Sequence, residues 1–240
     1  MRFDPPLIPA RLVRRYKRFL ADVEMGGAIM TAHCPNPGSM LGLADPGTPV
    51  WVSKVRVSAA RAGRKLPYTL ELVESGNSLV SVHTGRTNAL VAEALARRGI
   101  AALAPYRQWR REVRIEGGSR LDFLFEGQDL PPLYLEVKSV TLRRSLAEPA
   151  TAEFPDAVTA RGARHMRDLA GLAAAGYGAA VLFLVQRPDC QRFQVASDID
   201  SAYAQALAAA QASGVEVLCY GCTVSPAAIE VSGPLPVTLS

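Results

Sequence analysis

The stretch SRLDFLFEGQDLPPLYLEVKSVTL, residues 119–142, decides how the C-terminal part of this chain is read. Leu121, Phe123 and Phe125 alternate with Arg120, Asp122 and Leu124; Leu135 and Val137 alternate with Tyr134, Glu136 and Lys138. A period of two marks a strand with one apolar face and one face that holds charge. The intervening EGQDLPP is turn-like, so the two strands form an antiparallel hairpin. Centred on Asp129, the hairpin sets Asp122 opposite Glu136, with Cβ atoms about 5 Å apart. Like charges so placed destabilise a sheet unless something compensates. A hard divalent cation does so, because Mg²⁺ takes one or two carboxylates together with phosphate and water. Lys138 falls on the same face, where an ammonium can orient a water and stabilise charge on a phosphoryl group. The pattern fits equally a cross-strand salt-bridge cluster, Asp122 with Lys138 and Arg120 with Glu136 on the diagonals, each pair contributing a few tenths of a kcal/mol at about the usual surface value. The apolar residues on both sides of the charges in LYLEVKSV favour a central strand.

Outward from this hairpin, helical and strand patterns alternate. Thr84-Gly-Arg-Thr87 caps an expected helix with Leu90, Val91, Ala94 and Leu95 on its apolar face and a stop at Gly99. A second helix is expected over 157–175, ending at Gly176, then a buried strand at Ala180–Gln186, an alanine-rich helix at Ser201–Ala212 and a strand at Val215–Tyr220. Such alternation indicates an α/β domain. Residues 1–80 read differently. Strand-like segments in Leu12–Met25, VWVSKVRV and YTLELVES are punctuated by Gly and Pro, as in a small OB-like β-barrel. The fold class is therefore α/β with an added small β domain, divided as 1–82 and 83–240.

Composition bounds the function. The chain has 240 residues, 49% of them hydrophobic, and a net charge of +5. The first 80 residues carry 11 Lys+Arg against 6 Asp+Glu, which accounts for the whole excess. A localised basic patch suits a polyanion such as DNA, and equally an ordinary solvated surface. Arg11, Arg14, Arg15, Lys17 and Arg18 surround Tyr16 and Phe19; the cations suit a DNA backbone, while Phe19 is expected in the core. Tyr106, Arg107, Trp109, Arg110, Arg111 and Arg114 form a second such cluster. No apolar run reaches the length of roughly 18 residues that a membrane span requires, and no signal-peptide pattern opens the chain, so a cytoplasmic protein is expected. Cys219 and Cys222 have C-x-x-C spacing but lack both a following helix and a second ligand pair, so neither redox nor zinc chemistry is expected.

The spacing from Asp122 to Glu136-x-Lys138, after a helix with a Glu, resembles the PD-(D/E)XK, restriction-endonuclease-like nuclease superfamily. HCPNPGSM, SRLDFLF, YLEVKSVTL, FPDAVTARGARHMRDL and the ending PLPVTLS resemble the sugar fermentation stimulation protein family over essentially the whole chain. The resemblance implies an N-terminal OB-like barrel, a C-terminal PD-(D/E)XK α/β domain, DNA binding and a role in regulating sugar metabolism. It makes Asp122 and Glu136 metal-binding carboxylates for Mg²⁺, with Mn²⁺ as a substitute, and Lys138 the catalytic lysine. Glu93 matches the acidic residue of the preceding helix; an i,i+4 pair with Arg97 explains it equally well. Pro155-Asp156 follows the lysine, so Leu121-Asp122 takes the place of the superfamily's first motif, and Asp156 is expected to N-cap the helix from Ala157. Arg161 and His165 are expected at the phosphate backbone. Two functions stay open: a Mg²⁺-dependent nuclease cleaving DNA, and a non-catalytic DNA-binding regulator of sugar metabolism that keeps the nuclease fold. The oligomeric state is open too, a homodimer included.

Overall fold

The computed structural model describes residues 1–55, 66–145 and 147–239. The N-terminal part is built from β1 (Ile8–Tyr16), β2 (Leu20–Met25), β3 (Ala28–His33), β4 (Pro49–Lys54), β5 (Tyr68–Ser75) and β6 (Ser78–Ser81). They pair in the order β3-β2-β1-β4-β5-β6, and a short parallel pairing of β3 with β5 closes β1–β5 into a barrel. Leu12, Ala21, Val23, Ala32, Val50, Val52, Leu70 and Val73 fill its interior. Inward positions alternate along each strand because successive side chains of a strand point to opposite faces. The expected VWVSKVRV strand is β4 up to Lys54; its Arg56 and Val57 lie outside the described residues.

The C-terminal part contains α1 (Thr87–Ala96), β7 (Gln108–Arg114), β8 (Arg120–Glu126), β9 (Leu133–Val140), β10 (Thr151–Phe154), α2 (Ala160–Ala174), β11 (Gly178–Val185), β12 (Arg192–Val195), α3 (Ser201–Ala212), β13 (Glu216–Val224), β14 (Ile229–Pro234) and β15 (Val237–Thr238). Its main sheet runs β14-β13-β11-β9-β8-β7, with β9, β11 and β13 parallel and both edges antiparallel. β10, β12 and β15 form a smaller parallel sheet. Strand β11 sits at the centre, and Ala179–Val185 are all buried. Its alternate residues feed two cores: Ala180, Leu182 and Leu184 pack under α1, while Val181, Phe183 and Val185 pack under α2 and α3. A strand covered on both faces needs a continuous apolar run, which GAAVLFLV supplies.

The two helices on one face start from a shared cap. Asp200 Oδ1 accepts the Tyr203 N–H that opens α3, and its Oδ2 accepts the Thr159 N–H ahead of α2. Thr159 in turn accepts the Gly162 N–H, 3.0 Å away. Capping of this kind contributes about 1 kcal/mol per helix. Gly162 lets the helices approach, because a Cβ there would lie 2.8 Å from Thr159 and 3.1 Å from Tyr203. Helix α2 thus begins at Ala160, three residues later than Ala157, and its cap is Thr159 rather than Asp156. Helix α1 matches its expected face, with Leu90, Val91 and Ala94 buried. Its left-handed terminal residue is Arg98 at φ 55°, not Gly99, whose N–H closes the turn onto the Ala94 carbonyl.

Barrel and α/β domain meet along a built seam. The Thr84 hydroxyl donates to the Pro35 carbonyl at 2.7 Å, and the Met40 N–H donates to Asp156 Oδ2 at 3.2 Å. At the start of the chain, Arg2 pairs with Ala228, and Phe3 joins the core under α1. Among the described residues no helix is long and apolar enough to cross a membrane.

Candidate metal and nucleic-acid site

The β8–β9 pairing has the register centred on Asp129: Phe123 faces Leu135, Leu124 faces Tyr134 and Phe125 faces Leu133. Ladder pairing stops at Phe123, and the side chain of Asp122 takes over. Its Oδ2 accepts the Val137 N–H at 2.8 Å, while its Oδ1 accepts Asn88 Nδ2 from α1 at 2.6 Å. Apolar alternation breaks at the same place, since Leu121 enters the core under α2 whereas Phe123 and Phe125 stay under α1. Strand β9 continues between β8 and β11, and Glu136 projects from it toward α2.

There the buried Glu136 carboxylate is held on one oxygen. Lys138 Nζ donates to Oε1 at 2.8 Å, and His165 Nδ1 shares that oxygen. Arg161 Nε donates to His165 Nε2 at 3.4 Å, so Nδ1 carries the hydrogen turned to Glu136. The other oxygen, Oε2, is buried and has no hydrogen-bond partner. Burial alone would raise Glu136, but the His165 hydrogen bond and the Lys138 charge outweigh it and hold the carboxyl below the usual glutamate range. Asp122 moves the other way. Burial and the neighbouring Glu136 charge push it up to about 6, against the Val137 and Asn88 hydrogen bonds. The diagonal pairs Asp122–Lys138 and Arg120–Glu136 do not form; Lys138 turns back to Glu136, and Arg120 pairs with Glu112 at 2.8 Å.

This donor set fits a hard cation of the Mg²⁺ type. It offers one bare carboxylate oxygen beside a second carboxylate whose charged form is disfavoured without compensation. Among the described residues no group of three or more His, Cys, Asp and Glu is gathered as a metal cage, so such an ion would keep water or substrate oxygens in its remaining positions.

Other expected site residues are placed unequally. Glu93 lies away from the carboxylates: its Oε2 meets the Met1 amino group at 2.8 Å and Arg97 at 3.6 Å. It is five residues after Asn88, which on a helix turns it about 140° away from the side facing Asp122. His165 is buried and touches Glu136 rather than solvent, whereas Arg161 is exposed above it. In the barrel, Arg15 donates to the carbonyls of Asn36, Gly38 and Ser39, Arg14 pairs with Asp22, and Arg11 holds the Gly47 carbonyl. Lys17 and Arg18 occupy the left-handed tip of the β1–β2 hairpin at φ 48° and 63°. Only Arg18 of this group lines the cleft that Lys138 also lines. Phe19 is 44% exposed against His33, not in the core as expected. Asp156 lines that cleft as well, receiving Met40 across the seam. Cys219 and Cys222, both buried, belong to different cores on opposite faces of the sheet.

Two residues at the site carry no sequence signal of their own. Asn88 is one of several polar residues on α1. Gln186, wholly buried, donates from Nε2 to Ser139 at 2.6 Å and to Thr87 at 2.9 Å. It is the first polar residue after an apolar strand, and the parallel pairing of β11 with β9 brings it to Ser139.

Comparison with known proteins places this arrangement. The model of the sugar fermentation stimulation protein RE domain matches residues 85–228, and that of the SfsA N-terminal OB domain matches residues 13–82. A sugar fermentation stimulation protein homolog of Rhodospirillum centenum is 50% identical over 236 residues, 98% of each chain. One of Roseobacter denitrificans is 48% identical over 242 residues, covering both chains fully. A solved structure described as Pyrococcus furiosus SfsA in complex with Ca²⁺ superposes with a TM-score of 0.87 at 27% identity, over 99% of this chain and 98% of that one. With both domain models matched in order along one chain, and relatives near half identity from end to end, the chain belongs to the sugar fermentation stimulation protein family.

Proposed function

We propose that the chain binds DNA at the cleft between an OB barrel (1–82) and a PD-(D/E)XK-type α/β domain (83–240), and hydrolyses a phosphodiester with Mg²⁺ held by Asp122 and Glu136. The observation that carries this reading is the bare, buried Oε2 of Glu136 next to Asp122, with Lys138 alongside. A relative's structure described as a Ca²⁺ complex supports a hard cation in this family. Bound there, Mg²⁺ would supply charge to polarise the phosphodiester and lower the pKa of a coordinated water.

The chain's own groups do the rest. Asn88 and the Val137 N–H fix Asp122, so the carboxylate is oriented before any ligand arrives. His165 fixes Glu136 from the opposite side. One of the three Lys138 donors goes to Glu136, which leaves two for a phosphoryl oxygen or the attacking water. Arg161, exposed beside His165, can meet a backbone phosphate.

The test uses purified full chain with end-labelled single- and double-stranded DNA, in Mg²⁺, in Mn²⁺ and in EDTA. The expected result is cleavage only with metal, lost in Asp122→Ala and in Lys138→Ala. Binding that weakens steeply with salt is expected as well, because phosphate contacts release counterions. A salt-independent response sinks the DNA claim. Binding without cleavage favours the second reading, a non-catalytic DNA-binding regulator. One observation favours that reading: Lys138 and His165 already hold Glu136 through Oε1 in a cluster that needs no metal to form.

A further inference from the structure

The cleft beside Lys138 has unlike walls. One is the barrel's, formed by Asn36–Gly38 with Arg18 at the hairpin tip; the other is the segment Phe154–Thr159 that leads into α2. Lys138 and Ser139 lie on its floor, and its volume is about 380 Å³. Its width is fixed by the seam. Met40 N–H and Ser39 Oγ reach Asp156, the Thr84 hydroxyl holds Pro35, and Arg15 grips the carbonyls of Asn36, Gly38 and Ser39 from behind. The barrel wall is therefore tied both to its own domain and to the far wall.

Size and chemistry then select the ligand. A space of about 380 Å³ lies at the small end of single-ligand sites, so it holds one nucleotide and not the cross-section of a duplex. The lining carries two cations, Arg18 and Lys138, beside apolar surface from Pro37, Phe154 and the 77%-exposed Val158; its two carboxylates are engaged elsewhere, Glu153 by Arg144 and Asp156 by the Met40 N–H. A duplex shows phosphates outside and only base edges in its grooves. An unpaired nucleotide shows a phosphate and the flat apolar face of a base together.

From this, and resting on the DNA reading above, we infer that the cleft takes one unpaired nucleotide of a DNA strand, its phosphate between Arg18 and Lys138 and its base against Pro37, Phe154 and Val158. The substrate is a single strand, whether a free end, a gap or a loop.

The experiment measures fluorescence anisotropy of full chain with labelled DNA of about 20 nucleotides, in EDTA at one fixed salt concentration. Single strand, blunt duplex and duplex with a single-stranded overhang are compared. Single strand and overhang are expected to bind at least about tenfold more tightly than blunt duplex. Arg18→Ala and Val158→Asp, both at exposed positions, are expected to weaken single-strand binding by about fivefold or more, with the melting temperature unchanged. Blunt duplex bound as tightly as single strand overturns the inference and leaves the DNA reading standing. A single-strand preference untouched by both variants overturns the assignment to this cleft. Failure to bind any of the three forms overturns the DNA reading itself.

Discussion

Glu71 in the barrel and Glu136 in the α/β domain are both buried glutamates on central strands, and each faces a cation. Glu71 is 1% exposed and fully answered: Arg86 reaches its two oxygens at 2.6 Å each, and the Ser53 hydroxyl adds a third bond at 2.6 Å. Glu136 is 5% exposed and half answered, with Lys138 and His165 crowded on Oε1 while Oε2 has nothing. Geometry of the cation decides the difference. A guanidinium is a planar fork that covers both oxygens of a carboxylate, whereas an ammonium is a point charge that covers one. Two further buried or half-buried acids follow the closed pattern, Glu153 under Arg144 and Gln194, and Asp189 under Arg187. The lysine at 138 is what leaves a site open.

The contrast can be broken where it is strongest. Arg86→Met strands the Glu71 charge in the barrel–helix junction and is expected to cost about 3–5 kcal/mol in urea unfolding, the usual penalty for halving a buried pair. A loss under about 1 kcal/mol would show that Glu71 is not the closed pair described. Next comes the open side. Mg²⁺ at about 100 times its Kd is expected to stabilise the protein by about 2.7 kcal/mol, seen as a rise in melting temperature. Glu136→Gln is expected to abolish that rise and Arg18→Ala to keep it; a rise that survives Glu136→Gln would falsify metal binding there.

Acid titration sharpens the closed class. Burial works to raise Glu153, but its hydrogen bonds to Arg144 and Gln194 prevail and lower it. Its folded value therefore lies below its unfolded one, so the stabilisation is complete above the ordinary glutamate range and disappears as pH falls through the lower folded value. In Glu153→Gln the urea midpoint should decline less steeply below about pH 4.5 than in the parent chain. The smallest effect belongs to Glu136→Gln without metal. Its amide oxygen still accepts from His165, and relief of repulsion on Asp122 offsets the weaker hold on Lys138, so unfolding free energy in EDTA should change by no more than about 1 kcal/mol.

Much of this was readable from residues in order. The helix at Ser201–Ala212 has the expected ends, because Asp200 caps it and the alanines favour no other state. The hairpin about Asp129 has the expected register, since Phe123, Phe125 and Leu135 must all be buried together. Strand β7 was not legible: QWRREVR is an exposed edge, so no apolar alternation marks it. Glu93 was matched by its chemistry and its place on a helix, yet helical phase turns it to Met1 and brings Asn88 to Asp122. Asn88 lies 34 residues from its partner and Gln186 47 from Ser139. Contacts of that separation come from strand order, which local patterns do not encode. The cluster of arginines in β1 was legible as charge but not as bonding, since three carbonyls claim Arg15 and Asp22 claims Arg14.

Gly38 sits so close to Asp156 that a Cβ would come within 2.2 Å of its carboxylate. The two halves of the chain are thus not interchangeable parts joined by a tether. A barrel transplanted from a relative would fit only if its residue at this position and the acid opposite travelled together. Any chimera cut near residue 83 inherits that matching condition, since a residue larger than glycine at 38 would make the Asp156 carboxylate turn away and give up its bonds to Ser39 and Met40.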